Sequence, residues 1–151
     1  MSEKNVGQQY STGWIMLLAL FTSLGPLSID MYLPALPQMA QDFNVTTQQI
    51  ANTLPAYFFG LAVGQLIYGP ISDRIGRKKP LYFGMTLFAF ASLLCVLAPD
   101  HWSLIAARVL QALGGCVGVV MARAAIRDRL DVQGSAQAFA SMMIVTTIAP
   151  I

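Results

Sequence analysis

The chain has 151 residues, of which 56% are hydrophobic and 11% charged, and its mean hydropathy is +0.60. A soluble domain carries about 25% charged residues, so this composition excludes an ordinary soluble protein and predicts an all-α membrane protein. The net charge of +2 is too small to indicate a nucleic-acid partner. Cys95 and Cys116 lie within apolar runs, where we expect packing residues rather than a disulfide or a metal site.

Four apolar runs are long enough to span a bilayer, because a crossing helix needs about 20 mostly apolar residues. After a polar tail at 1–13, spans are predicted at about 14–36, 47–71, 80–98 and 103–125, and a fifth starts at 135 and is incomplete at 151. We expect Gly25-Pro26 to interrupt the first span, and Thr46 with Gln49 forms a capping-box pattern before the second. A signal peptide is the alternative for the first run, since Lys4 precedes it. The length of that run and the three spans that follow favour a membrane span.

The basic residues predict the orientation of the chain. The loops on one side, about 38–46 and 99–102, carry only Asp42 and Asp100 as charged residues. The other side holds all the basic residues except Arg108, namely Lys4, Arg74, Arg77, Lys78, Lys79, Arg123, Arg127 and Arg129. Because cytoplasmic loops carry an excess of Lys and Arg, we expect the N-terminus in the cytoplasm.

A charged hairpin, Gly69 to Lys79, joins the second and third predicted spans. Asp73 falls at the C-terminal end of a helix, where the macrodipole is negative and a carboxylate needs a positive partner. That partner could be an arginine or the N-terminus of another helix on the same side. Gly69, which has no side chain, would let such a neighbour approach closely.

Two charged residues lie inside predicted spans. Asp30 is in the outer half of the first span and Arg108 is near the outer end of the fourth. At ~1.5 Å per residue, both lie on the order of 10 Å below the outer interface, so they could meet or share a water-filled cavity. An intramembrane carboxylate is costly, which favours a proton site at Asp30. The alternatives are a helix-breaking Asp30 near the end of a shorter span and a structural Arg108 bonded to backbone carbonyls.

Other residues suit packing or a cavity. Gly60 with Gly64 and Gly114 with Gly118 form G-x-x-x-G steps, for which close helix packing is the preferred explanation. A cavity for apolar, drug-like molecules is the less favoured alternative, and aromatic, amide and methionine side chains would suit it. The candidates are Tyr32, Tyr57, Phe58, Gln65, Met142 and Met143.

The hairpin resembles the cytoplasmic loop signature of the major facilitator superfamily, with matches at Gly69, Asp73, Gly76, Arg77, Lys78 and Lys79. A second segment, Leu104-x-x-x-Arg108-x-x-Gln111-x-x-Gly114-Gly115, is similar to the proton-coupling signature of the fourth helix, except that Ala112 stands where glycine is usual. The segments 26–37, 64–70 and 146–150 look like the bicyclomycin-resistance (Bcr/CflA) group of drug:proton antiporters.

The resemblance implies a twelve-helix fold of two six-helix halves, of which this chain would supply four helices and the start of a fifth. It also implies proton binding at Asp30, coupling at Arg108 and a conformational latch at the hairpin, with Arg127 and Asp128 as latch neighbours. The partner of the latch would lie in the C-terminal half of the transporter, which is missing from this sequence. The implied location is the bacterial inner membrane.

The expected function is therefore proton-coupled efflux of small organic molecules such as drugs, with no cofactor. The alternatives are a solute transporter of the same superfamily, a truncated fragment that does not transport, and, more weakly, a compact four-helix exporter acting as a dimer. We do not expect an enzyme, since His101 is the single histidine and neither Cys nor a carboxylate cluster accompanies it.

Overall fold

The computed structural model describes residues 12–148, and within this range every regular element is helical. Residues 1–11 of the predicted tail, which include Lys4, and the last predicted residues of the fifth span, 149–151, lie outside the described residues. The last two residues of the predicted tail, 12 and 13, are helical. In the described part of the chain, four stretches are long and apolar enough to cross a membrane: Gly13–Asp42, Thr47–Ile75, Lys78–Val96 and His101–Arg129. The prediction of an all-α membrane fold is thus confirmed.

The first stretch consists of two α-helices joined by a short 3-10 helix. Helix α1 is Thr12–Asp30 and continues through Pro26, so the predicted interruption at Gly25-Pro26 does not occur. The 3-10 helix Leu33–Ala35 and helix α2, Leu36–Asp42, follow instead. Pro34 and Pro37 lie in the first turns of these two elements, where a missing N–H costs nothing. The interruption of the α-helix therefore comes after Asp30.

The second stretch begins with the predicted capping box. Thr46 accepts a hydrogen bond from the Gln49 N–H at 3.2 Å, and the Thr46 N–H donates to Gln49 Oε1 at 2.9 Å. Helix α3, Thr47–Ala51, leads into helix α4, Thr53–Ile75. Helix α4 is followed by Gly76, whose φ of +81° is in the left-handed region that favours glycine.

Helices α5, Lys78–Val96, and α6, His101–Arg129, both start two residues before the predicted spans. Asp100 caps α6 by accepting from the Ser103 N–H at 3.1 Å. Hydrogen bonding from the Ser103 side chain, and then from its backbone, lowers the pKa of the Asp100 carboxyl from its ordinary value. Helix α7 is Val132–Ile148. Hydropathy thus located the apolar core of each helix, while polar residues extend its ends.

Helix α6 is the centre of the bundle and packs against α1, α4 and α5, while α7 packs on α1. Glycines make the close contacts of α6 possible. A Cβ on Gly64 would overlap Cys116, one on Gly114 would overlap the backbone of Phe88, and one on Gly118 would overlap Phe21. These positions support the packing explanation of the G-x-x-x-G steps.

The alanine that departs from the family signature also has a packing partner. A Cβ added to Gly60 would lie 2.8 Å from the Cβ of Ala112. Gly60 on α4 therefore provides the space that the methyl group of Ala112 fills, and the two helices remain closely packed.

Candidate functional site

One buried cation is found among residues 12–148, and it lies where α1, α4 and α6 meet. Arg108, on the second turn of α6, is only 5% exposed. A charged side chain within a membrane is costly unless polar groups or a water-filled cavity surround it. The groups around Arg108 therefore determine whether its charge is neutralised or stays available to a ligand.

Two tyrosine rings cover the guanidinium group. Its central carbon lies 3.5 Å from the ring centroid of Tyr32 and 5.5 Å from that of Tyr57. An arginine over an aromatic face is attracted by the ring quadrupole, and most strongly where water is excluded. Tyr32 follows the end of α1, and Tyr57 belongs to α4, so the stack joins two helices to α6.

A directed chain of hydrogen bonds fixes the other side of the guanidinium. Arg108 Nη1 donates to Gln111 Oε1 at 2.8 Å, and Gln111 Nε2 reaches Ser92 Oγ at 2.8 Å. Ser92 in turn donates to the Phe88 carbonyl at 2.7 Å, so its single proton is used there and Gln111 is the donor to Ser92. Arg108 Nη1 also donates to the Ser28 carbonyl of α1 at 3.3 Å.

Gln111 and Ser92 were not among the predicted site residues. Gln111 belongs to the signature segment of the fourth helix, and its position three residues after Arg108 on the same helix face could have identified it as a partner of the arginine. Ser92 could not, since its contact depends on how α5 packs against α6.

Tyr32 is itself held in place by a polar contact. Its hydroxyl lies 2.8 Å from Thr53 Oγ1, and Thr53 donates to the Ile50 carbonyl at 2.7 Å. The Tyr32 hydroxyl is therefore the donor to Thr53. The Tyr57 hydroxyl is also buried.

Asp30 lies next to this cluster but outside it. It is the last residue of α1, its side chain is exposed, and within residues 12–148 it forms no ion pair with Arg108. It stands between Ser28 and Tyr32, both of which contact Arg108. The segment that carries Asp30 thus contacts the arginine through Ser28 and Tyr32, while the carboxylate itself is exposed.

Of the six predicted cavity residues, Tyr32, Tyr57 and Gln65 do not come together. Tyr32 and Tyr57 are buried beside Arg108. Gln65 instead lines a cavity of about 840 Å³ near the opposite ends of the helices. We call this space the basic-end cavity; its charged lining residues are Asp73, Arg123, Arg127 and Asp131.

The hairpin residues occupy several positions around that end. Arg77 forms an ion pair with Asp128 of α6, which links the turn between α4 and α5 to the central helix. Asp73 shares the basic-end cavity with Arg127, in keeping with its expected need for positive charge. Lys78 and Lys79 are exposed, and a Cβ on Gly69 would meet no atom within 4 Å among the described residues.

A comparison with known families matches the Major Facilitator Superfamily over residues 16–151. The chain belongs to this superfamily. It is 42% identical over 134 residues to a Bacillus subtilis protein named uncharacterized MFS-type transporter YdgK. The aligned residues make up 89% of this chain and 33% of that protein. It is 38% identical over 121 residues to Escherichia coli multidrug resistance protein D, and the aligned residues make up 80% of this chain and 31% of that protein.

A third relative is a bicyclomycin resistance protein homolog of Haemophilus influenzae, 31% identical over 147 residues, with 97% of this chain and 37% of that protein covered. The resemblance drawn from the sequence is thereby confirmed. The chain is part of the major facilitator family of multi-pass membrane transporters and has relatives named for multidrug resistance. It spans about one third of the length of these curated relatives.

Proposed function

We propose that the chain contributes the N-terminal helices of a proton-coupled exporter of small organic molecules, which is completed by further helices like those of its longer relatives. The observation that carries the proposal is the buried Arg108, held by two tyrosine rings, an amide oxygen and a carbonyl oxygen. These partners are uncharged. The positive charge of Arg108 therefore stays available to a carboxylate or a ligand that enters the site.

Asp30 is the proposed proton-binding residue. Only one residue separates it on each side from Ser28 and Tyr32, which both contact Arg108, so a small change at the end of α1 would bring the carboxylate toward the guanidinium. Arg108 would then stabilise the ionised form of Asp30, and protonation would remove that attraction. Proton binding and the position of α1 would be coupled in this way.

The two tyrosines that cover Arg108 could also bind a substrate, which would then change the surroundings of the guanidinium. Aromatic faces bind cations and apolar rings alike, so a drug-like molecule that displaces Tyr32 would expose Arg108. We propose Tyr32 and Tyr57 as substrate-side residues of the Arg108 site. Gln65 would contact substrate only from the basic-end cavity.

At the basic end we propose a conformational latch made of Gly69, Asp73, Gly76, Arg77, Lys78 and Lys79, with Arg127 and Asp128 as its neighbours. The Arg77–Asp128 ion pair and the shared lining of Asp73 and Arg127 support this proposal. We place this end and the N-terminus in the cytoplasm and the protein in the bacterial inner membrane, because basic residues concentrate there.

Drug efflux by the full-length transporter in everted membrane vesicles tests the role of Asp30. We expect Asp30→Asn to abolish transport driven by a proton gradient, because the amide cannot exchange a proton. Asp42→Asn is the matched control: Asp42 is an exposed carboxylate at the end of α2, and its substitution should leave efflux unchanged. Equal efflux and equal pH dependence in Asp30→Asn and the unsubstituted protein would rule out the proposed proton site.

A further inference from the structure

The strongest feature that the transport site does not use is an apolar groove between α4 and α5. Its volume is about 430 Å³, and it lies beside Lys79. Three isoleucines of α4 form one wall, Phe83 and Leu87 of α5 form the other, and Leu113 of α6 lies between them; the isoleucines are Ile67, Ile71 and Ile75. We call this space the α4–α5 groove.

The two walls share one spacing. Ile67, Ile71 and Ile75 follow each other at four-residue steps, and so do Lys79, Phe83 and Leu87. Side chains four residues apart lie above one another on one helix face, and eight residues of helix rise about 12 Å. The groove is therefore almost as long as one bilayer leaflet, which is roughly 15 Å deep.

Charge is confined to one end of the groove. Lys79 is exposed, and Arg74 and Lys78 are exposed nearby in sequence. Among the described residues, no carboxylate lines the groove. Asp73 lies two residues after Ile71, which places it on the opposite face of α4, where it lines the basic-end cavity instead.

We propose that the α4–α5 groove binds an anionic phospholipid, with one acyl chain along the isoleucine wall and the phosphate at Lys79. An apolar channel of leaflet depth with a basic residue at its mouth matches both parts of such a lipid. Basic pockets between transmembrane helices are known to hold anionic headgroups. The basic-end cavity is a poorer match, because Asp73 and Asp131 line it.

Fluorescence quenching by brominated phospholipids tests the proposal. The full-length protein carrying Phe83→Trp is reconstituted with brominated phosphatidylglycerol or brominated phosphatidylcholine, and the signal of the unsubstituted protein is subtracted. Tyr82→Trp is the matched reporter, because Tyr82 is also exposed on α5 but does not line the groove. We expect the Phe83→Trp reporter alone to favour the anionic lipid, by about fivefold in relative affinity.

The preference should disappear in Lys79→Gln and return in Lys79→Arg. Equal quenching of the Phe83→Trp reporter by the two lipids would overturn the proposal, and so would a preference for the anionic lipid that persists in Lys79→Gln. The same preference at the Tyr82→Trp reporter would also contradict it. Absence of quenching at Phe83→Trp would mean that protein covers the groove, which likewise overturns the proposal. If Phe83→Trp does not fold, phospholipid retained by the purified protein gives a second readout. Loss of phosphatidylglycerol in Lys79→Gln supports the site, and unchanged retention contradicts it.

Discussion

At the scale of single residues, the surroundings of Arg108 explain how a cation is accommodated between apolar helices. The guanidinium has a ring face from Tyr32, an amide oxygen from Gln111 and a carbonyl oxygen from α1. Each of these partners is fixed by a further hydrogen bond or by backbone structure. The arginine is therefore preorganised without an opposing carboxylate.

Substitutions at Tyr32 separate the ring contact from the hydroxyl contact. Tyr32→Phe keeps the ring over Arg108 but loses the bond to Thr53, which should cost about 0.5–1.5 kcal/mol of unfolding free energy. Tyr32→Leu also removes the cation–π contact, worth about 2 kcal/mol when water is excluded, and should cost correspondingly more. Unfolding in detergent micelles, followed by circular dichroism, measures both changes.

Thr53→Val provides the control for the hydroxyl pair. The double variant Tyr32→Phe/Thr53→Val should cost less than the sum of the two single changes, since each single change breaks the same hydrogen bond. Strict additivity would show that the Tyr32–Thr53 contact contributes nothing.

At the scale of helices, the glycines of α6 differ in which atoms of the neighbouring helix they contact. Gly114 faces the backbone of Phe88 on α5, whereas Gly115 faces the Phe88 ring, with a Cβ separation of 3.1 Å. A ring can rotate aside, but backbone can move only with its helix. Two adjacent glycines of the same helix thus differ in what they permit.

Alanine substitution should distinguish these two glycines. Gly114→Ala should lower the unfolding free energy by about 1–3 kcal/mol, because overpacking forces α5 away from α6. Gly115→Ala should cost less than about 1 kcal/mol, since alanine has the higher helix propensity and only a side chain must yield. Both values come from denaturant titration in mixed micelles. A larger loss for Gly115→Ala than for Gly114→Ala would contradict the packing described here.

The helices were the more predictable part of this molecule. Apolar run length located the four candidate spans, and the Thr46–Gln49 cap and the packing glycines followed from local pattern. The sequence predicts a helix break at Gly25-Pro26, but the break lies after Asp30. The prediction is wrong because a proline can be accommodated within a membrane helix, and the sequence alone does not show where this occurs. The Gln111–Ser92 bond and the separation of Gln65 from the tyrosines depend on helix packing, which no local pattern encodes.

At the scale of the whole molecule, α6 connects the two ends of the bundle. Its N-terminal half carries Arg108 beneath the tyrosines, and its C-terminal end carries Asp128, paired with Arg77. The turn between α4 and α5 is thus attached to the same rigid element that holds the buried arginine. Because α6 is one continuous helix, a movement of α6 would displace both Arg108 and Asp128.

A double-mutant cycle measures the strength of that attachment. The Arg77 and Asp128 side chains are 29% and 55% exposed, so solvent screens the pair and we expect a coupling energy of only about 0.2–1 kcal/mol. The cycle compares Arg77→Ala, Asp128→Ala and the double variant by unfolding in micelles. Exchange of the two charges, Arg77→Asp with Asp128→Arg, should recover part of the loss.

The matched cycle uses Arg74→Ala with Asp128→Ala. Arg74 is an exposed arginine in the last turn of α4, close in sequence to Arg77, and it forms no ion pair with Asp128 within the described range. Its effect should therefore add to that of Asp128→Ala. Equal coupling in both cycles would mean that Asp128 responds to the general positive potential of this end, and the specific link from the α4–α5 turn to α6 would then be wrong.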